Sequence, residues 1–501
     1  MQNNKQVLFK ISNLKQYFPL RKKGLFVKAN DGIDLNIYQG ETLGLVGESG
    51  CGKSTLGRTI LQLYKQTDGR TMYYGRSLLD VAPQYMLHTI KNLPKLKAHL
   101  KALNDKQAEA QKAFDNKTEE NEFQLTSQLQ DAKRIAYNAM LDICNIVGGL
   151  LAMEDLSPVM RAFEKLYAVA KRKKQLAGQV KSLNTKLEDQ LYRDKKSSKV
   201  EKLQSNIDDL KKQMAEQDQK IAACKKEIEA LREPMKTNEA FQKWDVHLDE
   251  GVDLARLDYE EMRHLRVDMQ LIFQDPYSSL DSRMTVAQII GEGLLTHEFF
   301  ARNDDRMKEK VLQTMSDCGL ANYFLHRYPH QFSGGQRQRI GIARSLAVNP
   351  QFVVCDEAVS ALDVSIQSQI INLLQELKEK QNLTYLFITH DLSVVKYISD
   401  RIAVMYLGVI VELATSENIF KQPLHPYTEA LISAIPTADE NQTRELVILE
   451  GDIPSPVNSP KGCKFHTRCK YATDKCRHVE PVLEELRPGH FVACHYPLIR
   501  E

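Results

Sequence analysis

The clearest chemistry in the chain lies in GESGCGKS, residues 47–54. The spacing G-x-x-x-x-G-K-[ST] between an apolar strand and a helical pattern is typical of a loop that binds the phosphates of a nucleoside triphosphate. Glycines let backbone N–H groups point at the phosphates, the lysine reaches the β and γ phosphates, and the serine hydroxyl binds Mg²⁺. The residues we expect at the nucleotide are Gly47, Glu48, Ser49, Gly50, Cys51, Gly52, Lys53, Ser54 and Thr55.

Two carboxylates follow a second apolar strand, FVVCDE, about 300 residues downstream. Asp356 fits the position that holds Mg²⁺ through water, and Glu357 fits that of a base that polarises the attacking water. Two acids at a strand end are common on protein surfaces, so the pair has little meaning alone. It gains meaning if the fold brings it to the phosphate loop.

A second glycine turn, SGGQ, opens another helical pattern slightly upstream of these acids. It offers a hydroxyl and bare backbone amides at a helix start, which is an anion site without a lysine. By itself the turn is more simply interpreted as an ordinary helix start. Its residues are Ser333, Gly334, Gly335 and Gln336.

Four of the nine cysteines lie in the last forty residues, with the spacing C-x5-C-x6-C-x17-C. Four thiolates suit a soft metal, either structural Zn²⁺ or an iron–sulfur cluster, although the tight C-x2-C pairs of zinc ribbons are missing. Unmetallated thiols are a third alternative, and nearby histidines could replace a thiolate. The cysteines are Cys463, Cys469, Cys476 and Cys494, and the histidines are His466, His490 and His495.

The sequence has three regions that differ in composition and hydrophobic pattern. Residues 1–82 alternate strands and turns and lead into a helix at Lys53, as at the start of an α/β domain. Residues 83–260 are rich in Lys, Glu, Gln, Leu and Ala, which predicts long helices. Apolar strands that end in polar residues resume at 261, so the helical block interrupts one domain. We expect that domain to continue over 261–420 and a C-terminal extension to occupy 421–501.

The helical block contains a heptad seam, with apolar residues at alternating spacings of 3 and 4 that only Gln217 interrupts. A shorter run with the same spacing precedes it, and the polar stretch RDKKSSK separates the two. An antiparallel helical hairpin with its tip near Ser197 is the simplest interpretation. The seam residues are Leu176, Val180, Leu183 and Leu187, then Val200, Leu203, Ile207, Leu210, Met214, Ile221, Cys224, Ile228 and Leu231.

The charge balance gives no support for nucleic-acid binding, and the hydropathy pattern predicts neither a signal peptide nor a membrane span. The 68 basic and 65 acidic residues give a net charge of +3, so no global field gathers nucleic acid. The N-terminus lacks the apolar core of a signal peptide, and we expect the chain to start in the cytosol. No unbroken run reaches the roughly 18 apolar residues that span a bilayer, and we interpret residues 143–153 as a buried helix.

Taken in order along the chain, these motifs resemble the ATP-binding subunits of ABC transporters. FSGGQ is similar to the signature sequence of that family, DEAVSALD to its Walker B motif and D-loop, FQDP to its Q-loop and ITHD to its switch-histidine segment. The resemblance covers about 1–80 and 261–501. Ala358 departs from the family, which usually has proline there.

The resemblance implies a fold: an α/β P-loop ABC nucleotide-binding domain with a RecA-like core, an antiparallel β subdomain and a helical subdomain. A long helical, partly coiled-coil insertion interrupts it, and a small cysteine-containing extension follows. In the family, two such subunits bury two ATP molecules between head-to-tail partners. The signature turn of one subunit then caps the γ-phosphate held by the other, and Asp363 belongs to the D-loop.

Roles at the ATP site follow from the same resemblance. Gln274 is implied to sense Mg²⁺, which Ser54 and Asp356 also hold, and His390 to orient the γ-phosphate and the water. The implied catalytic residues are Lys53, Glu357 and His390. Phe18 aligns with the aromatic residue that stacks on adenine, although the adjacent Tyr17 could do so instead.

The C-terminal part resembles one branch of the family. PLHPYTEAL and GDIPSPVNSPKGCKFHTRC are similar to segments of oligopeptide, dipeptide and nickel importer ATPases, and LKQYFPLRKKG is most like the F-type subunit of oligopeptide importers. This implies an ATP-hydrolysing subunit at the cytoplasmic face of the cell membrane. Its implied partners are a second, paralogous ATPase, two permease subunits and an extracellular peptide-binding protein. Import of dipeptides or nickel is an open alternative.

Some relatives carry a 4Fe–4S cluster at such cysteines, so the resemblance favours a cluster over zinc. The rival class is the chromosome-structuring type of ATPase that acts on DNA, but its coils enter after the Q-loop, whereas this block ends before Gln274. A binding-only subunit is a further hypothesis, which the retained Lys53, Asp356, Glu357 and His390 disfavour. The sequence leaves open whether the insertion docks a partner, contacts the membrane or is a passive decoration.

Overall fold

The structure is a computed structural model that describes residues 6–22, 24–117, 122–193, 198–300, 304–360, 362–435, 447 and 449–499. The chain divides into two units. The first comprises Met1–Gly75 and Met262–Glu501, and the second comprises Arg76–Glu261. The hairpin tip expected near Ser197 lies outside the described residues.

The strands of the described residues carry the apolar runs noted above. They are β1 (Val7–Pro19), β2 (Phe26–Tyr38), β3 (Thr42–Val46), β4 (Asp68–Tyr73), β5 (Val252–Asp253), β6 (Met269–Ile272), β7 (Phe352–Asp356), β8 (Thr384–Ile388), β9 (Arg401–Tyr406), β10 (Val409–Thr415), β11 (Glu484–Arg487) and β12 (His490–Val492).

The helices include four that exceed 20 residues, all in the second unit. They are α1 (Lys53–Ile60), α2 (Leu78–Val81), α3 (Gln84–Lys91), α4 (Leu93–Asp115), α5 (Glu122–Val147), α6 (Ser157–Arg193), α7 (Ser198–Arg232), α8 (Glu239–Asp245), α9 (Tyr259–Leu265), α10 (Val286–Thr296), α11 (Asp305–Asp317), α12 (Gly334–Leu346), α13 (Val364–Gln381), α14 (Leu392–Ile398), α15 (Ser416–Lys421), α16 (Pro426–Ser433) and α17 (Asp474–His478).

The main sheet of the first unit has the order β11-β12-β10-β9-β3-β8-β7-β6. Strands β9, β3, β8, β7 and β6 are parallel, and β10, β12 and β11 extend the sheet in antiparallel fashion. Every residue of β3, β7 and β8 is buried, as expected for strands covered on both faces. Parallel strands present their carboxyl ends at one edge of the sheet, so the loops after β3, β8, β7 and β6 are neighbours.

A second sheet of the first unit contains β2, β1 and β4, all antiparallel. Phe9 of β1 packs on Tyr73 of β4 and on Phe352 of the main sheet, with ring centroids 5.1 and 4.5 Å apart. These buried rings join the two sheets into one core. An apolar cluster packs α10, α11, α12 and α13 against β6, β7 and β8 of the main sheet. Thr285 and Gln288 form a capping box that begins α10.

The C-terminal part packs against β9 and β10 of the main sheet. Tyr427 of α16 and Phe465 are fully buried beside Tyr406 of β9, with ring centroids 4.8 to 5.3 Å apart. Cys463 and Cys469 pack against the same apolar cluster. Aromatic burial of this size ties the extension to the strand that neighbours β3.

The second unit is helical, as the composition of residues 83–260 predicts, and has its own apolar core built from α2 to α8. Helices α6 and α7 pack against each other. Each of the predicted seam residues on both helices is buried or half-buried, whereas every other residue from 201 to 230 except Gln217 is exposed. The heptad spacing therefore identifies the contact face of α7.

One stretch, Gln128–Ala152, is long and apolar enough to cross a membrane by length and composition, with a mean hydropathy of 1.5. The sequence criterion of an unbroken apolar run does not detect it. Just over half of its apolar window, 56%, is buried within the protein. Ile143, Cys144, Val147 and Leu150 belong to the core of the second unit, so the interpretation of residues 143–153 as buried is confirmed.

The contact face of α7 gives a prediction about stability. Ile207 is completely buried, and truncation to alanine should cost about 2 kcal/mol because it leaves a cavity at the seam. Amide hydrogen exchange in α6 and α7 should then quicken by about 30-fold, since each 1.4 kcal/mol is a factor of ten. The matched control is Lys211→Ala on the exposed side of the same helix. Equal exchange rates in the two variants would contradict the assignment of the face.

Candidate functional site

The loop between β3 and α1 has the shape that the phosphate-binding motif requires. Gly47 and Gly52 have φ of +153° and +103°, and a Cβ on either would lie 2.2 Å or less from a backbone carbonyl oxygen, that of Met405 or Ala29. Only glycine fits such positions. Lys53 is buried, and its Nζ donates to the carbonyl oxygens of Gly47 and Glu48 at 2.8 and 3.0 Å. The ammonium group is thus held inside the loop.

The loop meets the end of β7 through a side-chain hydrogen bond. Ser54 Oγ donates to Asp356 Oδ1 at 2.5 Å, and Arg58 Nη2 lies 3.1 Å from Asp356 Oδ2. Asp356 is almost fully buried, so the serine and the guanidinium together satisfy its carboxylate. The structure therefore unites the serine and the aspartate that the sequence separates by 302 residues.

The carboxylate of Glu357 lies close to two other predicted site residues, Gln274 and His390. Gln274, after β6, donates from Nε2 to Glu357 Oε2 at 2.6 Å. His390, after β8, has its Nδ1 3.5 Å from Glu357 Oε1, and its side chain is 52% exposed. The Glu357 backbone has a φ of +46° and donates from N to the Ile388 carbonyl oxygen. Thus a carboxylate, an amide and an imidazole from three neighbouring strand ends share one place.

The aromatic position near the start of the chain involves a residue that the sequence did not single out. Phe18 contacts Tyr64 edge to face, with ring centroids 5.4 Å apart. The Tyr17 hydroxyl instead donates to the carboxylate of Asp31. Both aromatic residues therefore make internal contacts, Phe18 through its ring and Tyr17 through its hydroxyl.

The signature and D-loop residues serve as helix caps in this chain. Ser333 and Gln336 form a capping box that begins α12, and Asp363 Oδ1 accepts from the Ile366 N–H at the start of α13. Within the described residues, none of the hydrogen bonds of these three side chains reaches the phosphate loop. The hydrogen bonds of these three side chains therefore serve the starts of their own helices.

The four C-terminal cysteines line one small cavity. Burial, with smaller contributions from the neighbouring thiols, raises the pKa of Cys463 to about 11 and that of Cys494 to about 12. Thiols that disfavour one another's ionisation in this way are a donor set that suits a bound cation. In the part of the chain that the structure describes, however, no three Cys, His, Asp or Glu side chains are arranged as a metal centre.

The PLHPYT segment forms a buried polar network at the start of α16. Glu412 accepts hydrogen bonds from the backbone N–H groups of Leu424 and His425, and its Oε1 lies 2.7 Å from His490 Nε2. His425 Nδ1 accepts from the Tyr427 N–H at 3.1 Å and so caps the helix. His490 is thus bonded to Glu412 and is not among the residues that line the cavity of the four thiols.

Comparison with known proteins agrees with this geometry. The family described as ABC transporter matches residues 30–244 and 242–360, and the oligopeptide/dipeptide transporter C-terminal region matches residues 411–476. The oligopeptide transport ATP-binding protein AppF of Bacillus subtilis is 33% identical over 501 residues, covering 98% of each chain. This chain belongs to the ABC transporter ATP-binding family.

A second relative has a higher sequence identity to this ABC chain, but over only part of its length. The oligopeptide transport ATP-binding protein OppF of Salmonella typhimurium is 51% identical over 237 residues, which cover 47% of this chain and 70% of OppF. Among solved structures, cbiO1 from Clostridium perfringens is 15% identical, with a TM-score of 0.43 over 83% of this chain and 92% of its own.

Sequence reasoning missed three side chains of this ABC site. Arg58 lies four residues after Ser54, so helical spacing could have placed it on the same face of α1. Tyr64 and Arg468 gave no comparable signal, because their partners, Phe18 and Glu48, are distant in sequence and come close only in the folded chain. Arg468 binds Glu48 of the phosphate loop across 420 residues of sequence.

The buried imidazole predicts a pH dependence of stability. Burial lowers the pKa of His425 from 6.5 to about 4, against a smaller opposing effect of Glu412. Since the unfolded state binds the proton first, stability is fully present above pH 6.5 and falls as the pH drops toward 4, by about 3 kcal/mol. Protonation also removes the acceptor of the Tyr427 N–H.

The check is chemical unfolding of the wild type and of His425→Asn between pH 4 and 7. Asparagine can cap the helix but does not titrate, so the difference between the two unfolding free energies should shrink below pH 6.5. Carboxylates remote from His425 titrate alike in both proteins and cancel. Parallel pH curves would refute the assignment.

Proposed function

We propose that this chain is the ATP-hydrolysing subunit of an ABC importer that powers uptake of oligopeptides through separate transmembrane permease subunits. The observation that carries the proposal is the meeting of Lys53, Ser54, Asp356 and Glu357 at one edge of the main sheet. The names of AppF and OppF support oligopeptides as the transported substrate. The matched C-terminal region at 411–476 supports the same branch, which includes dipeptide transporters.

Nucleotide binding is assigned to the phosphate loop. The backbone N–H groups of residues 50–55 and the Lys53 ammonium hold the phosphates, and the internal bonds of Lys53 to Gly47 and Glu48 are exchanged for phosphate oxygens. Ser54, Asp356 and Gln274 hold Mg²⁺, which neutralises phosphate charge. The bond from Ser54 to Asp356 supports this because it already holds two of these oxygen ligands together.

Hydrolysis is assigned to Glu357 and His390. Glu357 accepts a proton from the attacking water or orients it, while His390 donates to the γ-phosphate oxygens and holds them in line. Their approach to 3.5 Å supports the shared role, because the histidine can orient the carboxylate before ATP arrives. Gln274 bonds to the same carboxylate and links it to the loop after β6.

The second half of each ATP site is assigned to another subunit. Ser333, Gly334, Gly335 and Gln336 supply a hydroxyl and amides to the γ-phosphate of the partner, and Asp363 lies at the same face. Support comes from their hydrogen bonds, which in the described residues lie at the starts of α12 and α13 and do not involve the phosphate loop. We propose a paralogous ATPase as that partner, two permeases as the membrane channel and an extracellular binding protein that delivers the peptide. The chain then works at the cytoplasmic side of the cell membrane.

Three finer assignments belong to this proposal. Residues 83–260 are an insertion within the ATPase domain, which spans 1–82 and 261–420, and 421–501 form the importer-type extension. The seam of α6 and α7 is a short coiled coil, supported by its single buried face. The four thiols hold a 4Fe–4S cluster, supported by their shared cavity, with Zn²⁺ as the alternative.

Replacement of Glu357 by glutamine tests the catalytic assignment. The variant should bind ATP at least as well as the wild type and form a stable ATP-bound dimer with its partner subunit, because the missing carboxylate no longer activates water. Phosphate release should fall by about 10² to 10⁴-fold. The control is Glu376→Gln on the exposed side of α13, and unchanged hydrolysis in Glu357→Gln would remove that residue from its role.

Metal analysis of anaerobically purified protein tests the cluster. Iron and acid-labile sulfide should be present in equal amounts, and Cys469→Ser should lose both, while Cys318→Ala in the apolar core should keep them. Zinc without sulfide would establish the alternative. Absence of both iron and zinc would show that the thiols are free.

A further inference from the structure

The short segment Cys463–Cys469 of the extension makes two ion pairs with the nucleotide-binding part of the chain. Arg468 donates from Nη1 and Nη2 to the two oxygens of the Glu48 carboxylate, at 2.7 and 3.1 Å. Lys464 Nζ lies 2.9 Å from Asp31 Oδ2. The segment thus bonds directly to a residue of the phosphate loop and to a residue of β2.

Glu48 is fixed at three of its groups. Its carboxylate accepts both hydrogen bonds from Arg468, its N–H donates to the Tyr427 hydroxyl at 2.8 Å, and its carbonyl oxygen accepts from Lys53 Nζ. The first two contacts come from the C-terminal extension and the third from the loop itself. The extension therefore determines the position of the loop residue against which Lys53 rests.

The two pairs are shielded from water. The side chains of Arg468 and Lys464 are only 7% and 6% exposed. The hydrogen bonds to Glu48 raise the pKa of Arg468, and although burial alone would raise the pKa of Asp31, Lys464 and the Tyr17 hydroxyl bring it to about 2. Shielded ion pairs hold their geometry better than exposed ones, and the bidentate pair of Arg468 with Glu48 adds directional hydrogen bonds.

Asp31 links Lys464 to the other end of the nucleotide site. The Asp31 carboxylate also accepts from the Tyr17 hydroxyl, and Tyr17 precedes Phe18, which the family resemblance aligns with the aromatic residue that stacks on adenine. Phe465, between the two cations, is buried against Tyr406 and Tyr427. The segment is consequently rigid where it meets both the phosphate side and the adenine side.

We propose that Cys463–Cys469 is a positioning segment for ATP, in which Arg468 sets the start of the phosphate loop and Lys464 sets the strands beside the adenine aromatic. The inference rests on the proposed function, since it assumes that this loop binds ATP. Neither cation touches Glu357 or His390, so the segment acts on nucleotide affinity and leaves the chemical step alone. Preorganisation of this kind lowers the ordering cost of binding.

The test measures the affinity of the full-length chain for Mg-ATP by calorimetry, with KM and kcat alongside. Arg468→Ala should weaken binding and raise KM by about tenfold with kcat nearly unchanged, and Glu48→Gln should weaken binding by about the same factor. Arg468→Lys should fall between them and the wild type, because lysine keeps the charge but loses the bidentate fork. Arg477→Ala, an exposed arginine in the same extension, is the matched control and should bind normally.

The double variant Glu48→Gln, Arg468→Ala distinguishes positioning from a general loss of structure. If the pair acts through one contact, the double variant binds about as weakly as either single variant, about tenfold below the wild type. Additive losses of about a hundredfold would overturn the proposal, as would normal affinity in both Arg468 variants. If Arg468→Ala does not fold, Arg468→Lys with Glu48→Gln decides the matter.

Failure of the proposed function has a different signature. A wild type that neither binds nor hydrolyses Mg-ATP would overturn the function and this inference together. A wild type that binds and hydrolyses ATP, with affinity that no Arg468 variant changes, would overturn the inference alone. Lys464→Ala provides the same comparison for the adenine side and should weaken ADP and ATP equally.

Discussion

The hydrogen bond between Ser54 and Asp356 is the contact on which the site depends. It joins the helix after the phosphate loop to the end of β7. Because Asp356 is buried, loss of the bond would leave its Oδ1 without this donor in a place that water does not reach. Arg58 supplies the compensating charge from the same helix. With this contact in place, the loop and the acidic strand end form one surface for a metal-bound triphosphate.

The position of Glu357 shows how the sheet brings functional side chains together. Its positive φ is uncommon for a residue with a side chain and costs about 1 kcal/mol, which the bond from its N–H to the end of β8 helps to offset. That backbone turns the carboxylate toward Gln274 and His390, which arrive from the two flanking strands. The strain therefore places one carboxylate between an amide and an imidazole.

The C-terminal extension is more than an addition to the ATPase core. Its aromatic residues pack on β9, its His425 and the buried Glu412 of β10 organise the start of α16, and its Arg468 and Tyr427 both bond to Glu48. The cysteines end the segment that carries Arg468 and line a cavity next to it. The segment that contacts the phosphate loop therefore lies between two of the cysteines that line this cavity.

The sequence by itself determined the local features of this protein. Glycine spacing specified the phosphate loop, because only glycine tolerates the backbone at Gly47 and Gly52, and heptad spacing specified the buried face of α7, because helical geometry repeats every 3.6 residues. The strand order was decided only by the tertiary structure. It brought Asp356, Gln274 and His390 to one edge and Arg468 to Glu48, since such contacts depend on how distant strands pair and pack, which residue spacing does not encode.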